Sequence, residues 1–227
     1  MASNFPSSLD SFTNPSSSDA MDSVSVPHAT QHSDLNDAVE ALQAKVGADS
    51  SGVASSHDYK IAQLEGRDTA GLVHISRTTI GTAVSSVTVS GAFSADYDSY
   101  KIIVAGGAAS TAVNLEFILG ATTTGYTAAA VYNIYASPSA QGNAQVNIAH
   151  WEAGRGDTTA LTLNMDVHSP FLTEYTTFQS AWSRAADAMA VVGGYLNNTT
   201  SYTGFTIETN TGTMTGGTID VYGYAKA

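Results

Sequence analysis

The chain is predicted to be mainly β: an antiparallel β-sandwich, jelly-roll-like, preceded by an extended N-terminal arm and two short helices. Three observations predict it. Residues 1–24 are rich in Ser and Asp and show no periodicity. Residues 25–66 carry apolar side chains at helical spacing. From Gly71 onward the period changes to two, with Gly, Pro, Asn and Asp punctuating short runs. The 227 residues leave room for one sizeable domain and an appendage. The expected organisation is an arm over 1–24, a coiled-coil-like helical segment over 25–66 and a sandwich over 67–227.

The arm is polar apart from a few points, among them Phe5, Leu9 and Phe12. A segment of this composition cannot bury enough surface to fold alone. These three side chains are the candidate anchor, ordering when docked on a larger assembly; the plainer reading is a disordered tail. Met1–Pro6 has neither a basic n-region nor an apolar h-region, so no signal peptide is expected. No apolar run approaches the roughly 18 residues of a membrane span, so no membrane insertion is expected.

Leu35, Val39, Leu42 and Val46 recur at spacings of four, three and four, and Gly47 closes the run. Pro27 suits a first helical turn, with Ser25 or Ser33 as the cap. With Leu35 and Leu42 at d and Val39 and Val46 at a, His32 falls at a and His28 at d. This seam serves self-association or packing on the chain's own β domain, and the pattern leaves both open. Val at a with Leu at d leans towards two parallel strands. On a symmetry axis His28 and His32 could hold a metal, an anion or water; more plainly they are polar seam residues that fix register. They are the only metal candidates, and no metal or cofactor is assigned. A second helix is expected from His57 to Glu65, capped by Ser56, with Ile61 and Leu64 on one face and Gly66 ending it.

Val113–Leu119, Leu161–His168 and Phe205–Glu208 alternate apolar and polar residues, as strands with one buried face do. Further strands are expected over Gly71–Arg77, Ser85–Ser90, Tyr100–Val104, Ala129–Ala136, Ala144–Trp151, Tyr175–Ser183, Met189–Leu196 and Gly217–Tyr224. Short strands without intervening long helices imply antiparallel pairing. No fixed-length repeat appears, which argues against a propeller or β-helix.

Eight basic and twenty acidic residues give a net charge of −12. Such a chain repels phosphate backbones and acidic membrane surfaces, so no nucleic-acid partner is expected. The absence of Cys removes disulfides, thiolate metal sites and Cys nucleophiles. The strand acids Glu116, Glu152, Asp157 and Asp166 would make a glycosidase pair only if two of them converged; each reads as a wet-face or loop residue. There is no HExxH and no G-x-S-x-G. Arg155-Gly156-Asp157 reads as a Gly-rich turn after Trp151. No catalytic residue is assigned, and the chain is expected to be non-enzymatic. Tyr126, Tyr132, Tyr135, Tyr195 and Tyr202 fall near strand ends and turns and are the candidate surface-contact aromatics, the bland alternative being core packing.

Phe5-Pro6-Ser7-Ser8-Leu9-Asp10-Ser11-Phe12-Thr13-Asn14-Pro15, together with His28-x-x-Gln31-His32-x-Asp34-x-Asn36-Asp37-Ala38-Val39-Glu40-Ala41-Leu42-Gln43-Ala44-Lys45-Val46-Gly47, resembles the opening of tailed-bacteriophage minor tail, fibre and head-fibre structural proteins. His57-Asp58-Tyr59-Lys60-Ile61-Ala62-Gln63-Leu64-Glu65 fits the same pattern, so the resemblance covers residues 5–66. It implies a virion component, assembled in the host cytoplasm and commonly homotrimeric. Its partners would be itself, other virion proteins of the tail, neck or capsid, and a host cell-surface glycan. A minor tail or fibre-like protein presenting the sandwich for host-surface contact is the leading expectation. A capsid-attached head fibre or decoration protein is the alternative.

Overall fold

The structure, a computed structural model, describes residues 5, 7, 16–24, 27–67, 71–137, 139–185 and 187–226. The chain divides into two units, Met1–Asp68 and Thr69–Ala227. In the first, Phe5 is half-buried. Leu9 and Phe12, the other two anchor candidates, lie outside the described residues, as does Ser25.

Helix α1 spans His28–Val46 and starts directly after Pro27, with no side chain capping it. Ser33, expected as an alternative cap, lies inside the helix. Proline's fixed φ suits this boundary, because its missing N–H would have no helical partner there. Gly47 ends the helix with φ 89°, its N–H donating to the Gln43 carbonyl at 2.8 Å. A Cβ at position 47 would sit 3.0 Å from the Cβ atoms of Ser56 and Asp58, so the turn there needs glycine.

Helix α2 spans His57–Arg67 and so runs past Gly66, its expected end. Ser56 caps it as expected: its Oγ accepts from the Tyr59 N–H at 3.2 Å and donates to the Val53 carbonyl at 2.8 Å. Asp58 in the first turn accepts from the Ser51 N–H at 2.8 Å. No described helix is long and apolar enough to cross a membrane.

The second unit contains β1 (Leu72–Thr79), β2 (Ser86–Val89), β3 (Ser99–Ala105), β4 (Ala108–Ala109), β5 (Val113–Leu119), β6 (Tyr126–Ile134) and β7 (Gln141–Ile148). Then follow β8 (Trp151–Gly156), β9 (Leu161–His168), β10 (Thr177–Arg184), β11 (Ala188–Leu196), β12 (Phe205–Thr209), β13 (Met214–Thr215) and β14 (Thr218–Tyr224). All pairings are antiparallel. One sheet has the order β1-β14-β3-β9-β10-β11-β6-β7; the other has the order β2-β12-β5-β8. They join at the start of β9, where Thr162 pairs with Arg155 and Leu161 with Gly156. β4 and β13 form a small separate pair. The expected antiparallel sandwich is therefore the fold.

Alternation decides which side chains enter the core. In β9, Leu161, Leu163, Met165 and Val167 are buried while the residues between them are more exposed. Between the sheets runs an aromatic chain: Phe205 stacks on Phe117 at 4.7 Å, Phe117 on Trp151 at 6.1 Å, and Trp151 on Phe178 at 4.3 Å. Tyr126 meets Trp151 edge-on at 5.1 Å. The Trp151–Phe178 stack joins β8 of one sheet to β10 of the other, and the Ser180 hydroxyl bonds the Ala153 carbonyl beside it.

The expected strand over Ala144–Trp151 is two strands. β7 ends at Ile148 and β8 begins at Trp151. A bend at Ala149-His150 separates them, and Trp151 enters the core from the new strand; Asn147, in the left-handed region at φ 55°, lies at the register shift within β7. Arg155-Gly156 accordingly ends a strand and is not a turn; the turn is Asp157–Ala160, where Asp157 Oδ1 accepts from the Thr159 N–H at 2.7 Å and the Ala160 N–H at 3.1 Å.

Candidate functional site

The second unit carries a cleft of about 320 Å³. Three groups of residues build it. β8 supplies Glu152 and Arg155, and neighbouring β5 supplies Asn114. β10 and the turn after it supply Trp182, Arg184 and Asp187. β6 and β7 supply Tyr132, Asn143 and Gln145 from the faces they share with Ala128 and Ala130.

Charges in the cleft are matched in pairs. Glu152 accepts from Arg155 at 3.2 Å and from the Gln145 amide at 2.9 Å. Arg184 pairs with Asp187. The Arg155 guanidinium lies 4.3 Å from the centre of the Trp182 ring, a cation–π contact. Burial pulls the Arg155 guanidinium below its ordinary value, and Glu152 opposes that fall. Tyr132 donates to Gln141 at 2.7 Å. The side-chain amides of Asn114 and Asn143 make no hydrogen bond among the described residues. The Trp182 Nε1–H is buried and has no partner.

Behind the cleft three carboxylates lie in a row across the strands: Glu208 pairs in register with Glu116, and Glu116 with Glu152. Glu116 and Glu152, expected as separate wet-face residues, are thus brought together, and Glu116 is buried. Burial pushes the Glu116 carboxyl up, the facing His150 pulls it back, and Glu208 and Glu152 add to the rise. His150 Nε2 lies 3.2 Å from Glu116 Oε1. Glu116 does not line the cleft. Asp166 is elsewhere, paired with Lys101 at 2.9 Å and accepting from the Tyr224 hydroxyl at 2.6 Å, which pushes that phenol up to about 12.

The candidate contact tyrosines divide. Tyr126 and Tyr202 are buried, which corrects the expectation for both. Tyr126 accepts from the Leu119 N–H at 2.8 Å, and burial raises its phenol strongly. Tyr202 bonds Thr122 at 2.7 Å and Asn198 at 3.1 Å. A strand-end position fixed neither tyrosine on the surface, because each hydroxyl finds an internal partner and the ring can then be buried. Tyr135 and Tyr195 are exposed, and Tyr132 alone of the five lines the cleft.

In the helical unit the expected seam is exposed: Leu35 at 57%, Val39 at 43%, Leu42 at 52% and Val46 at 48%. No residue of α1 is buried. His28 and His32 bring their Nε2 atoms to 3.0 Å, with the rings edge-on. Among the described residues no three His, Cys, Asp or Glu side chains are grouped to hold a metal.

Arg155, Trp182, Gln145 and Asn143 were missing from the sequence reading of the site. A Trp on an alternating strand reads as core, and the cleft draws residues from 114 to 192, so no local motif announces it. No family model, curated protein or solved structure matches the chain.

Proposed function

We propose that the chain is a non-enzymatic structural protein of a bacteriophage virion, minor tail or fibre-like. In this reading it assembles as a homotrimer through α1, is held to the particle by its N-terminal arm, and meets a saccharide of the host surface with the sandwich cleft. The observation that carries the reading is α1 itself: a helix with no buried residue that still aligns Leu35, Val39, Leu42 and Val46 along one stripe. Such a stripe is stable in water only when covered. The resemblance of residues 5–66 to phage structural proteins supplies the virion context.

The cleft suits a neutral sugar. Its charges are matched in pairs, so it offers no net charge to an ionic ligand. It retains the Asn114 and Asn143 amides with the Tyr132 and Trp182 rings, groups that bind hydroxyls and the apolar faces of sugar rings. A non-enzymatic role agrees with the carboxylates, since Glu152 is engaged by Arg155 and Gln145 while Glu116 is buried beside His150.

The test is binding of the purified full chain to host cells and to an array of neutral and acidic glycans, with Arg155→Ala and Asn143→Ala alongside. Binding to neutral glycans that both variants weaken is expected. Binding to capsids lacking this protein, with none to cells or glycans, would select the head-fibre or decoration alternative.

A further inference from the structure

We infer that the outer face of β10, β11, β6 and β7, with the free edge of β7, is buried against a second copy of this chain. The inference rests on the oligomeric reading above and adds a surface to it. Three observations carry it.

The first is the chemistry of the face. Register places Ala181 beside Val191 and Val191 beside Val131, with Ala144 and Met189 on flanking rows. These side chains point away from the core, and Val131 is 64% exposed and Val191 55%. No Asp, Glu, Lys or Arg occupies an outward position on these four strands. Charge resumes one strand further on, at the Lys101–Asp166 pair of β3 and β9.

The second is the edge. The free edges of the two sheets belong to β1, β2 and β7. β1 carries His74 and Arg77 and a register shift between His74 and Ser76; β2 is only four residues long. Both are protected in the ways soluble proteins use. β7, Gln141-Gly142-Asn143-Ala144-Gln145-Val146-Asn147-Ile148, has eight residues, no charge and no proline, and is largely exposed; its register shift lies near its end, at Asn147, and leaves Gln141–Gln145 regularly paired. An edge of this kind pairs or packs with another chain.

The third is why the occupant is a copy. With a net charge of −12, two copies repel wherever acidic surface meets acidic surface. A charge-free face is where they approach without that cost. Four strands ~4.8 Å apart and eight residues long at ~3.4 Å each give about 500 Å². That is less than the ~800 Å² per partner of a standard interface, so the face supplements the α1 stripe and does not replace it.

The experiment is sedimentation of the full chain across a concentration series, comparing wild type with Val131→Glu/Val191→Glu and, as a control off the face, Thr206→Glu. Hydrogen exchange of the wild-type β7 amides is measured above and below the dissociation concentration. Expected are an oligomer in the wild type and control, a dissociation constant at least tenfold higher in the double variant, and protection only in the oligomer of those β7 amides that point away from β6. An oligomer that the double variant leaves unchanged, or β7 exchange equal in assembled and dissociated chain, overturns this inference and leaves the oligomeric reading standing. A wild type that stays monomeric overturns both. If the double variant does not fold, the wild-type exchange comparison decides alone.

Discussion

Glu116 on β5 stands directly opposite Glu152 on β8, yet the two carboxylates have different surroundings. Glu152 faces Arg155 and Gln145 in the cleft. Glu116 is buried, with His150 facing it at 3.2 Å and Glu208 on its other side. Its carboxyl is pushed above the ordinary value of 4.5, so the native chain holds this proton more tightly than the unfolded chain does. The stability this gives is complete below 4.5 and is lost as pH rises through the raised value. Wherever it is ionised the buried group is a burden, so at pH 7.5 Glu116→Gln should be at least as stable as wild type in urea. The advantage should shrink towards pH 4. A variant less stable at pH 7.5 would mean that the His150 contact outweighs the cost of burial.

Trp151 joins the two sheets, stacked on Phe178 and Phe117 and met edge-on by Tyr126. Trp151→Ala should cost about 3–5 kcal/mol, as large aromatic deletions in packed cores do. Its Nε1 has no hydrogen-bond partner among the described residues, so the loss is one of packing. Trp151→Phe should therefore cost much less. Urea midpoints of the two variants check this, and equal losses would contradict it.

Much of the fold is legible in the sequence because burial on one face imposes a period of two, as along Leu161–Val167. β8 is not legible. The stretch after Trp151, Glu152-Ala153-Gly154-Arg155-Gly156, reads as a turn because of its glycines, but Gly154 is there for space: a Cβ would lie 2.7 Å from the Thr162 carbonyl and 2.9 Å from the Leu163 Cβ. The cleft is hidden for a related reason. Arg155 reads as part of that turn and Trp182 as core, and only the packing of β8 against β10 brings them together. Gly154→Ala should push β8 away from β9 at a cost of about 1–3 kcal/mol. It should also weaken glycan binding, because Glu152 and Arg155 ride on the same strand. A neutral effect on the urea midpoint would show that the strands separate freely.

Helix α1 has little to hold it up by itself. No side chain caps its start, no acidic residue occupies its first turn, and none of its 19 residues is buried. Lys45 in the last turn, the His28–His32 contact at 3.0 Å and the bond from Gly47 to Gln43 favour it locally. Isolated helices of about this length are marginal in water, and natural ones draw their stability from a packed face. Its one extended apolar stripe is Leu35, Val39, Leu42 and Val46, each about half exposed in the single chain. Covering that stripe must therefore supply the missing stability, and its helicity should depend on concentration if the cover is another copy. Amides of residues 32–46 should exchange fast in dilute chain and slowly in concentrated chain, and Leu35→Ser/Leu42→Ser should remove the difference. The sandwich amides of β9 and β14 should be protected throughout, because their strands are paired on both sides within one chain. Slow exchange of α1 at every concentration, unaffected by the double substitution, would show that the helix is stable without an intermolecular partner, and the assembly reading would lose its main support.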